Sequence, residues 1–310
     1  MSYLDEETKE GIKILFTGLD GAGKSSIILS LLRKISKIAI VRPTKGASRR
    51  IYEFLGMHVS EWDLGGQIGY RKTYFKDCDL YFSRTSIMIY VIDIQNPDRI
   101  LESLEYLSDI VENFKKLQIE PLICIFFHKT DPDIYERAQE ELTRITNNIQ
   151  KKIKAKIQYR NLTFFRTTIF DLSTIMTVMS DILIKSSPKT ELIRGTVEEF
   201  AKKINAEGLE IIDDNSFIIG SYYENEAVKT ILNATSPYFL KVQDTFEKVR
   251  IGECQPEDQM VVQRFGKFFF FKKFLLKGAP FYLLVCKEDI DFSEDDYLFF
   301  IDLLKEIISK

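Results

Sequence analysis

The sequence predicts an α/β fold: a doubly wound, mostly parallel sheet over residues 1–187, followed by a smaller α+β domain over residues 188–310. Three observations predict it. An apolar, β-branched run, Ile12-Lys-Ile-Leu-Phe-Thr17, flows into Gly18-x4-Gly-Lys-Ser25 and then into a helical pattern with Ile27, Ile28, Leu31, Leu32 and Ile35 on one face. Strand-like and helix-like periodicities then alternate as far as Lys185. Beyond Ser186-Ser187-Pro188-Lys189, which breaks the preceding helix, the order changes to α-β-β-α-β-β-β-α.

At 310 residues the chain has room for about two domains, and 45% apolar with 29% charged residues is an ordinary globular composition. A net charge of −3 offers nucleic acid no basic face. The densest basic stretch, Lys151-Lys-Ile-Lys-Ala-Lys156 with Arg160, falls on one helix and its exit and reads as a solvated helix face. Cys78, Cys124, Cys254 and Cys286 stand far apart, and two lie in apolar strand-like runs, as buried thiols of a reducing, cytoplasmic compartment would. No signal peptide, membrane-spanning run or CaaX box is expected, and Ser2 stands where N-myristoylation requires glycine, so no direct lipid anchor is expected. With His58 and His128 as its two histidines, the chain lacks the parts of a metal triad or a Ser-His-Asp hydrolase, and His58 reads as an exposed strand residue.

Taken in order, the cradle helix is followed by the loop Arg42-Pro-Thr-Lys-Gly46, which Pro and Gly punctuate. A strand from about Arg50 to Leu55 turns at Gly56 into a second, Met57 to Trp62. Next come a helical stretch near Tyr70 to Cys78, the strand Ile87 to Asp93, a helix opened by Asn96-Pro97, and the strand Leu122 to Phe127. A long helix from about Asp133 to Lys156, the strand Leu162 to Arg166 and a helix from about Leu172 complete the first domain. Apart from one hairpin the sheet is expected to be parallel, with ligand loops at the carboxyl ends of its strands.

Every candidate motif falls at such an end. The Gly18–Ser25 loop can wrap a polyphosphate with backbone amides at a helix N-terminus, Lys24 reaching the β- and γ-phosphates and the Ser25 hydroxyl serving Mg²⁺. Asp63 closes a strand where its carboxylate can hold a Mg²⁺-bound water opposite Ser25. Gly66 can present its amide to a γ-phosphate, and the Gln67 amide beside it can orient an attacking water. Thr44 can add a second hydroxyl to Mg²⁺ when the γ-phosphate holds its loop. Asp131, after the strand that ends at His128, can accept from guanine N1–H and N2–H₂, while Asp133 is expected to cap the following helix. Thr167-Thr168-Ile169 can offer backbone amides to the same base.

Gly18-x4-Gly-Lys-Ser25, Pro43-Thr44-x-Gly46, Trp62-Asp-x-Gly-Gly-Gln67, His128-Lys-x-Asp131 and Thr167-Thr-Ile169 together resemble the five signature loops of a small GTPase. Asp20-Gly-Ala-Gly and Trp62-Asp-x-Gly-Gly-Gln resemble Arf-type GTPases, whereas His128 in place of the usual Asn, and Thr-Thr-Ile-Phe-Asp171, are closer to the Rag family. The resemblance spans about residues 11–186. It implies a P-loop NTPase fold with Mg²⁺ and GTP or GDP as cofactors. Nucleotide contacts are implied for Asp20, Gly21, Ala22, Gly23, Lys24, Ser25, Ser26, Thr44, Gly66, His128, Lys129, Asp131, Thr168 and Ile169, metal contacts for Ser25, Thr44 and Asp63, and catalysis for Gln67. Asp20 stands where Ras-type proteins have glycine, so an activator's arginine finger would need another approach. Arg42 reads as a solvent-facing loop residue, with action in cis on the transition state as the alternative.

In the second domain a helix from Thr190 to Ala206 precedes two strands, Leu209 to Ile212 and Phe217 to Tyr222, joined by an Asp213-Asp-Asn-Ser turn. A helix from Glu224 to Val249, three strands (Met260 to Phe265, Lys267 to Leu276, Pro280 to Cys286) and a last helix from Glu294 to Ile308 follow. Phe268-Phe-Phe-Phe271 is apolar on both faces, so helices are expected to cover both sides of the sheet. The order resembles the roadblock or longin-like domain that follows the GTPase domain in Rag proteins. That resemblance implies a homodimer, or a heterodimer with a related GTPase, formed through Met260–Phe265 and the long middle helix. Exchange factors, activating proteins and a roadblock-type scaffold that recruits it to membranes are implied as further partners. The expected function is a guanine-nucleotide-dependent switch that hydrolyses GTP slowly. The alternatives are a nucleotide-locked scaffold with little turnover and an Arf-type GTPase, while His128-Lys-x-Asp131 and the Trp-Asp-x-Gly-Gly-Gln loop oppose a P-loop kinase or ATPase.

Overall fold

A computed structural model describes residues 11–249, 259–289, 291 and 293–309, and its contacts divide the chain into two compact units. One comprises Met1–Ser30 with Lys34–Asp171, the other Leu31–Arg33 with Leu172–Lys310. Ser2 and Cys254 lie outside the described residues.

The first unit is built on a six-stranded sheet in the order β2-β3-β1-β4-β5-β6. Its strands are β1 (Gly11–Thr17), β2 (Ala47–Phe54), β3 (Met57–Leu64), β4 (Ile87–Asp93), β5 (Leu122–His128) and β6 (Leu162–Thr167). Only β2 runs antiparallel, forming the expected hairpin with β3. Ile-Met-Ile-Tyr-Val-Ile of β4 is buried at every position, as a strand covered on both faces must be. Register then decides where the chemistry collects. Phe16 pairs with Asp63, Asp93 with His128, and His128 with Thr167, so these polar residues share the carboxyl end of the sheet.

The helices along this part of the chain are α1 (Lys24–Leu31), α2 (Ile35–Ile38), α3 (Ile68–Lys76), α4 (Cys78–Phe82), α5 (Ile100–Lys116) and α6 (Pro132–Ile157), and α7 (Leu172–Ile184) follows β6 in sequence. The single helix expected near Tyr70 to Cys78 is two, because Asp77 leaves helical geometry at φ −113° and ψ 49°. On α5, Leu104, Leu107, Ile110, Val111 and Phe114 recur at helical spacing and are buried against the sheet with Ile149, Ile153 and Ile157 of α6. Each such burial contributes about 1.5–3 kcal/mol. α6 starts at Pro132 with Asp131 at its N-cap, so Asp133 does not hold the capping position expected of it. The helix kinks at Ala138, where φ is −143°.

The second unit is a five-stranded antiparallel sheet in the order β8-β7-β11-β10-β9. It comprises α8 (Thr190–Lys203), β7 (Gly208–Asp213), β8 (Ile218–Tyr223), α9 (Glu226–Val249), β9 (Gln259–Arg264), β10 (Lys267–Leu276), β11 (Ala279–Lys287) and α10 (Glu294–Ser309), and it also takes α7. Alternation along β10 serves two helical layers. Phe271 stacks on Phe239 of α9 at 5.5 Å and Lys273 pairs with Glu247 of α9, while Lys272 between them lies over Tyr297 of α10. Phe269, Phe270 and Phe271 are therefore core, covered from both sides as their sequence requires, with Phe268 half-buried.

Candidate functional site

The phosphate loop between β1 and α1 is shaped by what its neighbours exclude. Gly23 has φ +101°, and a Cβ there would fall 2.4 Å from His128 Cδ2, so the imidazole packs directly on the loop backbone. His128 is buried and its Nδ1 lies 3.0 Å from Thr167 Oγ1. Burial, and secondarily the Lys129 charge, push the imidazole down to about 4, so it is neutral at physiological pH. In this chain His128 thus supports the loop from beneath.

Lys24 opens α1, is 5% exposed, and donates from Nζ to Gly18 O (2.9 Å) and Leu19 O (2.8 Å). Desolvation pulls its ammonium down to about 8, against the opposing pull of Asp63 and Asp20. Beside it three oxygens converge from three elements. Ser25 Oγ donates to Asp63 Oδ2 at 2.6 Å, Thr44 Oγ1 donates to the same oxygen at 3.0 Å, and the two hydroxyls are 2.8 Å apart. Asp63 Oδ1 is buried with no hydrogen-bond partner. Two hydroxyls and a carboxylate with an uncommitted buried oxygen form a hard-oxygen donor set that fits Mg²⁺.

Lys24, Ser25 and Thr44 line a cavity of about 180 Å³ together with Gly21, Gly23, Ser26, Arg42, Gly66 and Gln67, and Asp63 reaches it through its bonds to the two hydroxyls. Gly66 lies so close to the phosphate loop that a Cβ there would be 2.1 Å from Asp20 N. Gln67 caps α3 by position, and its Oε1 is buried without a partner. Arg42 is exposed at the rim. A second cavity of about 270 Å³ lies on the other side of the loop, lined by Asp20, Gly21 and Ala22 with Asp93, Arg99 and Lys129.

Just beyond β5, Asp131 is held by both carboxylate oxygens: Thr168 Oγ1 donates to Oδ1 at 2.6 Å and Gln95 Nε2 to Oδ2 at 3.0 Å. Lys129 Nζ pairs with Asp93 Oδ2 at 2.6 Å, and Gln95 Nε2 also donates to Lys129 O at 2.8 Å. Ile169 is half-buried in the same loop. A planar carboxylate fixed this way can present its acceptors to two adjacent N–H groups. Asp93 and Gln95 were not read from the sequence. Asp93 closes an apolar strand as Asp63 does, which was the available signal.

Asp20 does not point freely into the cradle. Arg99 donates to its Oδ1 at 2.8 Å and to its carbonyl at 3.0 Å, and hydrogen bonding by that guanidinium holds the carboxyl below its usual range. Arg99 also pairs with Glu102 at 3.1 Å, and Glu102 with the buried Arg71 of α3. A chain of alternating charge so joins the phosphate loop to the helix behind Gln67.

Comparison with known proteins matches residues 13–250 to the family described as the Gtr1/RagA G protein conserved region. ADP-ribosylation factor F of Dictyostelium discoideum is 33% identical over 125 residues, covering 40% of this chain and 63% of that protein. ADP-ribosylation factor-like protein 3 of Chlamydomonas reinhardtii is 35% identical over 124 residues, again 40% of this chain and 66% of the relative. The match spans less than two thirds of each of these relatives. The family match runs through the first unit and on to the end of α9, and the phosphate cradle lies within it: the chain belongs to the Gtr1/RagA family of small GTPases.

Proposed function

We propose that this protein is a guanine-nucleotide-dependent switch that binds GTP or GDP with Mg²⁺ and hydrolyses GTP slowly. The observation that carries the reading is the convergence of Lys24 and Ser25, Thr44, and Gln67 from three stretches of chain on one cavity, with Asp63 bonded to both hydroxyls. Lys24 offers an ammonium to the β- and γ-phosphates, and its buried position strengthens that attraction. Ser25, Thr44 and Asp63 would hold Mg²⁺, which when bound neutralises charge on the phosphate oxygens. Gln67 supplies an amide whose buried carbonyl oxygen has no partner of its own and can accept from an attacking water. Asp131 selects guanine, positioned by Gln95 and Thr168. Thr44 and Gln67 sit on the loops that GTP orders and hydrolysis releases.

Pairing through the second unit completes the reading. β9 is an edge strand whose Val261 and Val262 are exposed, and Phe265 just beyond it is 90% exposed. On α9, Ile231, Tyr238, Val242 and Val249 recur seven, four and seven residues apart and are exposed, a helical stripe that no described residue covers. Both features support a homodimer or a heterodimer with a related GTPase.

Single-turnover hydrolysis tests the switch against a nucleotide-locked scaffold. Gln67→Leu should bind GTP as the parent does but slow turnover by at least about tenfold, and chelating Mg²⁺ should abolish turnover in both. Equal rates for parent and variant would reduce Gln67 to a turn residue.

A further inference from the structure

Between Leu142 and Phe170 the sequence carries seven Lys or Arg and no Asp or Glu, in a chain of net charge −3. The structure shows where that charge goes. Lys151, Lys152, Lys154 and Lys156 are exposed on the last turns of α6, and Arg160 is exposed at its exit. Tyr159 Oη donates to Pro121 O at 2.7 Å and Ile123 N to Asn161 O at 2.8 Å, which ties this exit to the turn after α5 and brings the exposed Lys116 to the same end. None of these six residues pairs with a carboxylate among the described residues, whereas neighbouring Lys115 pairs with Glu112 at 2.7 Å. Favourable placement of cations at a helix C-terminus accounts for Lys154 and Lys156 in the last turn, but not for Lys151, Lys152 or Arg160. Glu120 is the acidic residue in the adjoining turn.

This end adjoins the amino ends of β5 and β6, while the nucleotide loops follow their carboxyl ends about 20 Å away at strand spacing. We infer that the basic end of the first unit is a contact surface for an anionic lipid leaflet, held by charge alone and without insertion. Five lysines to one arginine make diffuse, hydrated point charges rather than the guanidinium forks that read individual phosphates. Nucleic acid would want exposed aromatic faces. Here Phe164 is covered by Lys154 at 5.5 Å, and the Tyr159 hydroxyl is committed to Pro121. Among the described residues no large exposed apolar side chain flanks the lysines, so surface attraction rather than burial is the mode of contact.

Sedimentation of the full chain with phosphatidylcholine vesicles, with and without phosphatidylserine, tests this. Each basic residue near an anionic leaflet raises partitioning about five-fold, and the attraction weakens as salt shortens the screening length. The parent should therefore pellet with serine-containing vesicles at low salt and stay in solution with phosphatidylcholine alone. Replacing Lys151, Lys152, Lys154 and Lys156 by Gln should lower that partitioning at least about a hundredfold while GTP affinity and melting temperature stay at parent values. Binding that ignores phosphatidylserine, or that survives the four substitutions, would overturn the proposal. So would capture of the parent by single-stranded RNA at a salt concentration that releases it from the vesicles.

Discussion

Lys24→Met isolates the electrostatics of the phosphate cradle. The Lys24 ammonium is 5% exposed and titrates near 8, against an ordinary value of 10.5. Because the folded pKa is depressed, the unfolded chain binds more protons between those two values, so this group makes stability rise with pH across that window. At 1.36 kcal/mol per pKa unit, the contribution from about pH 7 to pH 10 is on the order of 2–3 kcal/mol. Methionine keeps an unbranched side chain one atom shorter and removes the titration. Urea unfolding of parent and variant at several pH values should show the parent gaining about that much relative to Lys24→Met as pH rises, after every shared titration cancels. The same depression requires that GTP, which favours the charged form, draws a proton onto Lys24 when it binds above about pH 8. Calorimetry in two buffers of different ionisation enthalpy reads that uptake directly. A parent–variant difference that stays flat from neutral to alkaline pH would refute the claim that this ammonium is desolvated.

Gly23→Ala places a methyl 2.4 Å from His128 at φ +101°, and should cost about 2–4 kcal/mol in denaturant unfolding while weakening GTP binding. Val261 and Val262 are neighbours on the edge strand β9, so of their two amides one faces β10 and the other faces outward. Of Val261→Pro and Val262→Pro, the variant with the outward amide should remain folded, bind GTP and sediment as a monomer. A chain ending at Lys185 that still dimerised would move the interface to the first unit.

The alternation that makes the parallel sheet was legible because β4 and β5 are buried on both faces and so read as unbroken apolar runs. Apart from Thr44, which precedes β2, the motif residues were legible for a related reason: they sit at or just beyond a strand's carboxyl end, where an apolar run gives way abruptly. What eluded sequence reading was set by distance along the chain. Asp20, Arg71, Arg99 and Glu102 form one ion-pair chain, and although Arg99 and Glu102 are an i,i+3 pair, nothing in their local pattern names Asp20 or Arg71. Gln95 likewise looks like a loop residue until β4 and β5 lie side by side and bring it to Asp131. The break at Asp77 and the start of α6 at Pro132 are terminal decisions of single residues, which periodicity does not resolve.

The central claim is that the cradle serves guanine nucleotides, and Asp131→Asn measures it most directly. The parent should bind GTP and discriminate against XTP, because the fixed carboxylate accepts from N1–H and N2–H₂. In the variant the amide instead donates to the C2 oxo group of xanthine, so competition binding should show GTP weakened by about tenfold or more and XTP strengthened enough to invert the preference. Unchanged GTP affinity in Asp131→Asn, with XTP still excluded, would contradict the account.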